Sequence, residues 1–159
     1  MKRYHLRRDD MVMGENEMME VIEQQSYLML ALCRDGEPYL ATVNYAYDAE
    51  HRCFYFHCAA EGKKVDFMKA NPVVWGQILD DRGYLSGECD YAYRTVQFRG
   101  RVTFLSSREE KMSALLMMLS QLEKHPDEVR EKVLTESKLE TVAVGKIRIE
   151  EMSGKKNEK

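Results

Sequence analysis

Two stretches of this chain carry side chains whose type and spacing offer chemistry. The first is Glu61-Gly62-Lys63-Lys64. Val65 and Met68 follow at helical spacing and Asn71-Pro72 closes the segment, so the pattern predicts a helix over 61–70. A helix N-terminus presents unpaired N–H groups and a partial positive charge, which disfavours two lysines in its first turn. They fit if an anion binds there, because a phosphate accepts hydrogen bonds both from those amides and from the two ammonium groups. The other reading is a pair of solvated lysines, tolerated at a cost of about a few tenths of a kcal/mol each.

The second stretch is His51-Arg52-Cys53-Phe54-Tyr55-Phe56-His57-Cys58. As a strand it sets His51, Cys53 and His57 on one face, which suggests a metal. A rise of about 3.3 Å per residue separates the two histidines by roughly 20 Å, however. One zinc ion with bonds of about 2 Å cannot collect both, and no metal site is expected. His51 then reads as a turn residue and Cys53 as a small buried hydrophobe. His57 ends the strand just before the lysine loop and lies beside whatever that loop binds, as a structural or binding residue or as a proton-transfer group. A third segment, Tyr93-Arg94-Thr95-Val96-Gln97-Phe98-Arg99, reads as a long strand with Thr95, Gln97 and Arg99 on an outward face. Met112, Met117 and Met118 read as soft filling of a core or an interface.

Other chemistries are excluded by what is missing. The nine glycines never form a G-x-G-x-x-G or Walker A pattern, and H-E-x-x-H, C-x-x-C and G-x-S-x-G are absent. Lys and Arg total 24 against 27 Asp and Glu, with no basic stripe to suggest a nucleic-acid partner. The longest apolar run, 27–33, falls well short of the roughly 20 residues of a membrane-spanning helix. The first ten residues are basic but lack the apolar segment of a secretory signal. Cys33, Cys53, Cys58 and Cys89 have no paired spacing, so free thiols in a cytoplasmic protein are expected.

The elements that must position these residues follow from periodicity. Met18, Met19 and Ile22 mark a short amphipathic helix over 14–25. Strands are predicted over 27–33, 38–47 and 52–58, the first two joined by an Asp35-Gly36 turn, in an antiparallel meander. After the 61–70 helix come a strand at 73–79, a polar loop at 80–90 and a long strand at 91–105 with a bulge at Gly100. Ser106 or Ser107 caps the next helix, with Glu109 and Glu110 in its first turn. Pro126 interrupts it, and a weaker helix runs to Leu134. A sixth strand spans 141–152 with a shift of face near Gly145, and the tail 154–159 is expected to be frayed and disordered. The fold class is mainly β with α: one domain over 1–153, a six-stranded antiparallel barrel, closed or half closed, with flanking helices.

Taken in order, several of these pieces carry a resemblance. They are Asp35-Gly36-Glu37-Pro38-Tyr39, Val43-Asn44-Tyr45-Ala46-Tyr47-Asp48, Tyr55-Phe56-His57-Cys58, Glu61-Gly62-Lys63-Lys64, Asn71-Pro72, and Tyr93-Arg94-Thr95-Val96 with Gly100. Together the chain resembles the pyridoxamine 5'-phosphate oxidase-like split barrels that bind flavin mononucleotide (FMN), and among them the nitroimidazole-resistance branch. The likeness spans roughly residues 15 to 152. It implies a six-stranded split barrel and a homodimer with FMN at the subunit interface. It places the phosphate on Lys63 and Lys64 beside Gly62, and the largely backbone ring contacts on Thr42, Val43 and Asn44. The strand end near the flavin falls on His57 and Cys58, and a polar side chain reaching the ring on Thr95.

The chain also departs from that family. Oxidases acting on pyridoxamine phosphate usually carry Gln where Thr95 stands, and Lys146-Ile147-Arg148-Ile149-Glu150-Glu151 lacks their Arg-x-His pattern. Vitamin B6 oxidation is therefore not expected. The resemblance instead implies an FMN-dependent reductase of small oxidised compounds, nitroimidazole- or quinone-like, with NAD(P)H or a reduced partner protein as donor and His57 near the reacting face. Two alternatives keep the fold: a haem-binding or haem-degrading barrel with His57 as axial ligand, and a flavin-binding module without turnover.

Overall fold

The computed structural model describes residues 7–158. A 3-10 turn at Asp9–Met11 leads into helix α1 (Glu15–Gln24), followed by β1 (Tyr27–Arg34), β2 (Glu37–Asn44), β3 (Ala46–Asp48) and β4 (Cys53–Ala59). Helix α2 (Lys63–Ala70) precedes the long hairpin of β5 (Val73–Leu85) and β6 (Asp90–Phe104). Helices α3 (Arg108–Leu122), α4 (Pro126–Val133) and α5 (Glu136–Thr141) then lead to β7 (Val142–Asn157). The strands form one antiparallel sheet in the order β2-β1-β5-β6-β7-β4-β3.

Seven strands appear where six were expected, because the segment 38–47 is divided at Tyr45. Its first part, β2, pairs with β1 at one edge of the sheet, and its second part, β3, pairs with β4 at the other. The chain at Tyr45 thus joins the two ends of the sheet and curls it into a split barrel. Tyr45 is pinned at this crossing. Its N–H donates to the Ser26 carbonyl at 3.3 Å, and its buried hydroxyl donates to the Ile22 carbonyl oxygen at 2.6 Å. That bond satisfies one of the carbonyls that the end of α1 leaves without an intrahelical partner. The expected three-stranded meander is corrected accordingly: β4 lies between β3 and β7, not beside β2.

Two further expectations change. The segment 80–90 is no loop; β5 and β6 extend through most of it as a hairpin arm with a register shift between Asp81 and Tyr84. The C-terminal segment does not fray at Gly154, since β7 pairs with β6 out to Asn157, whose amide donates to the Tyr91 carbonyl at 2.8 Å. The bulge expected at Gly100 is present, as a register slip between Arg99 and Gly100. The shift of face expected near Gly145 is present in the apolar residues, with Val144 in the outer cluster and Ile147 and Ile149 in the barrel interior, and the slip at Glu150 is a second irregularity of β7. Two lengths of ladder slip by one residue there. Helix α5 was not anticipated; six residues offer too little periodicity to read.

The barrel interior holds Leu28, Leu30, Phe54, Phe56, Ile78, Val96, Phe98 and Ile147, all fully buried. Each such side chain contributes about 1.5–3 kcal/mol. Two glycines let the rings pack: a Cβ on Gly76 would lie 2.0 Å from Cζ of Phe98, and one on Gly145 2.2 Å from Cζ of Phe56. A second cluster lies on the outer face of the sheet, where Ala114, Leu115 and Met118 of α3 and Leu139 of α5 cover Ala46 and Val144. Met118 is core filling, as the sequence suggested. Ser107 caps α3, its hydroxyl accepting from the Glu110 N–H at 3.3 Å.

Candidate functional site

The loop before α2 turns at Gly62, whose φ of +135° is a region that favours glycine. Lys63 and Lys64 open the helix. Strand β4 ends just before this turn, and β2 stands at the edge of the sheet, so half of its backbone amides and carbonyls face away from β1. Alternation along β2 and β4 points Thr42, Asn44 and His57 to the outside of the barrel. Helices α3 to α5 arch over that outer face and leave a half-open cavity of about 1290 Å³ between them and the barrel wall.

Six of the expected site residues line this cavity: Thr42, Val43, Asn44, His57, Cys58 and Lys64. The side-chain amide of Asn44 donates to the Ser26 carbonyl at 3.0 Å, which holds this part of the wall. Lys64 is its basic group on the barrel side. The His57 imidazole titrates below its ordinary value, chiefly because the walls desolvate it and also because Lys64 opposes a second positive charge. It is neutral at pH 7. Burial pushes the Cys58 thiol up, against the opposing pull of Lys64, so Cys58 is a protonated thiol and a poor nucleophile.

Three expected residues do not reach the cavity. Lys63 turns the other way: its Nζ lies 3.5 Å from a Glu37 carboxylate oxygen and 4.7 Å from the centre of the Tyr39 ring. Successive helical residues point about 100° apart, so the two lysines cannot share one face. Gly62 shapes the turn and is not a lining residue. Thr95, expected to reach a ring, is buried in the sheet. Its hydroxyl donates to the Ile78 carbonyl at 3.2 Å and accepts from the Gln77 amide at 3.1 Å. His51 is a turn residue, its Nδ1 2.8 Å from an Asp48 carboxylate oxygen, and Cys53 is fully buried.

Sequence reasoning missed the roof. Leu115, Met118, Leu119 and Leu122 of α3, with Val129 and Val133 of α4, face the barrel wall across the cavity. A signal existed, since Val129 and Val133 stand four apart in an otherwise polar helix. Nothing local indicates what that stripe covers. Among the described residues, no helix is long and apolar enough to cross a membrane, and no group of three or more His, Cys, Asp or Glu could hold a metal ion.

The outward-facing edge-strand wall, the lysine at a helix N-terminus and the curled antiparallel sheet define a split barrel with a cleft on its outer face. The chain belongs to the pyridoxamine 5'-phosphate oxidase family, whose model matches residues 14–156. Among solved structures, it is similar to a candidate 5-nitroimidazole antibiotic resistance protein of Bacteroides thetaiotaomicron, at 21% identity and a TM-score of 0.74, over 98% of this chain and 100% of that one. It is also similar to a flavocytochrome of Azotobacter vinelandii, at 16% identity and a TM-score of 0.84, over 100% of this chain and 75% of that one. At these identities the likeness is one of fold. An uncharacterised protein of Rhizobium meliloti is 35% identical over 69 residues, a match spanning 43% of this chain and 44% of that relative.

Proposed function

We propose that the chain is an FMN-dependent oxidoreductase that reduces small oxidised compounds of the nitroimidazole or quinone kind. The observation that carries this reading is the convergence of Lys64, edge strand β2 and His57 on one large cavity. The residues present fit FMN. Lys64 lines the cavity in the first turn of α2, where helix N–H groups without intrahelical partners can donate to a phosphate. The backbone at Thr42, Val43 and Asn44 offers alternating donors and acceptors to a flavin edge. Bound FMN would supply two-electron chemistry between NAD(P)H as hydride donor and the acceptor, the acceptor's second proton coming from solvent. His57, neutral at pH 7, can donate from one ring nitrogen and accept at the other, which suits it to hold a proton at the cavity wall.

The reading includes a homodimer. Leu40, Ala31 and Trp75 lie side by side across β2, β1 and β5 on the outer face, with Met29 and Tyr27 next to them. Leu40 is 70% exposed, Tyr27 48% and Trp75 36%. This apolar face adjoins the cavity mouth at Tyr27 and Thr42, and a second copy would cover it. Sedimentation of Leu40→Asp should give a monomer where the parent protein gives a dimer.

The decisive experiment is an FMN titration followed by absorbance near 450 nm, an approximate flavin value. Tight uptake that is lost in Lys64→Ala supports the reading, and a protein that stays colourless at high FMN overturns it. A second reading is favoured by one observation, a histidine in a cavity with an apolar roof. Titration with ferric haem separates the two, because an axial His57 gives a Soret band that disappears in His57→Ala.

A further inference from the structure

The cavity is larger than one ligand of FMN's size requires, since sites for single drug-sized molecules run to about 300–1,000 Å³. Its two sides also differ in chemistry. The barrel side carries Thr42, Asn44, His57 and Lys64, whereas the roof is built from leucine, valine and methionine side chains. Two charged residues lie on the roof side, Glu123 and Lys138. Lys138 is engaged: its Nζ donates to the Lys132 carbonyl at 2.8 Å, capping the last turn of α4. Among the described lining residues, an anion at the roof would meet an acidic side chain and a lysine already bonded to backbone.

Helix α4 argues the same way. It has no buried residue, and its only apolar side chains after Pro126 are Val129 and Val133. Both face the cavity, not a protein core. An amphipathic helix is stabilised by burying its stripe, and an occupant of the cavity would add to that burial. On α3, the lining positions run from Leu115 to Leu122, about 10 Å of apolar wall at 1.5 Å per residue. That length matches a fused ring carrying a short alkyl group.

We propose that the cavity seats two ligands, FMN against the barrel wall and an uncharged apolar ring compound, an alkyl-substituted quinone, beneath α3 and α4. This deepens the reading above and rests on it for the first ligand only. The seat itself is made by Leu119, Leu122, Val129 and Val133. Phosphorylated or sulfonated acceptors are disfavoured because Lys64 is committed to the cofactor phosphate.

Calorimetry with 2-methyl-1,4-naphthoquinone and 1,4-naphthoquinone-2-sulfonate, on FMN-free and FMN-loaded protein, tests the seat. The methyl compound should bind at least about tenfold tighter than the sulfonate to loaded protein. Val133→Glu should abolish that preference while changing FMN affinity less than about threefold. Leu119→Ser should weaken methylnaphthoquinone similarly, as a check that does not add charge. Equal binding of the two quinones, or a preference that survives in both variants, overturns the proposal. If FMN fails to bind and the methyl preference persists, the seat stands and the cofactor reading falls.

Discussion

Lys63 and Lys64 are neighbours in the first turn of α2, yet Lys64 faces the cavity while the Lys63 ammonium lies against Glu37 and the Tyr39 ring. A hydrogen bond to a charged group contributes about 1.5–3 kcal/mol, or roughly 10- to 150-fold in affinity. Lys64→Ala should weaken FMN binding by that factor, and Lys63→Ala by less than about threefold, measured by quenching of flavin fluorescence. The reverse ranking would move the phosphate site to the other side of the helix.

The depressed titration of His57 has a definite sign. Burial lowers it first and Lys64 second, so as pH falls the unfolded chain takes up this proton before the folded one. Above about pH 6.5 there is no penalty; below it, stability of the FMN-free protein declines until the folded histidine is itself protonated. Urea midpoints at pH 7.5, 6.5 and 5.5 should fall in the parent protein and stay flatter in His57→Gln. Asp80 and Asp48 do not obscure this window. Burial opposes their ionisation, but Arg94 and Arg82 at Asp80, and His51 at Asp48, hold both below the ordinary carboxylate range. An unchanged slope in His57→Gln would place the titrating group elsewhere.

Arg94 ties α1 to the β5–β6 hairpin. Its side chain is 7% exposed, and its three nitrogens go to Asp80 at 2.9 Å, Glu20 at 3.1 Å and Gln24 at 2.7 Å. Removing one member of a buried ionic network costs about 3–5 kcal/mol, because the remaining charges lose their partner. Glu20 is largely exposed, so the lower end applies, and Arg94→Ala should destabilise by about 3 kcal/mol in chemical denaturation. Arg94→Lys should recover little of this, since an ammonium cannot span three acceptors in the plane of a guanidinium.

The fit of Phe98 over Gly76 makes a packing prediction. A methyl at Gly76 falls inside the ring, so Gly76→Ala must displace Phe98 from a core where it touches Phe54 at a centroid separation of 4.7 Å. Overpacking of this kind costs about 1–3 kcal/mol. A thermal midpoint within experimental error of the parent would mean that the barrel repacks without strain.

Much of the β framework was legible because it is written locally. Asp35-Gly36 announces a tight turn, the unbroken apolar run at 27–33 marks a strand, and Ser107 with Glu109 and Glu110 marks a helix start. The hairpin arm over 80–90 was hidden, since polar residues in a solvated two-stranded ribbon look like loop residues. Residues Thr42 to Asn44 and His57 to Cys58, which the family resemblance assigns to a flavin, line one cavity. Thr95 does not, because the partner that captures its hydroxyl, Ile78 on β5, is seventeen residues away and no local pattern reveals it.

Side-chain alternation, turn chemistry and helix capping act over a few residues, so the sequence by itself determined most of the order of strands and helices and the charge at the start of α2. The division of one strand at Tyr45 between two sheet edges, the opposite headings of Lys63 and Lys64, and the apolar roof over His57 depend on contacts between residues far apart in the chain. Those contacts exist only once the sheet has curled, and the tertiary structure alone decided them.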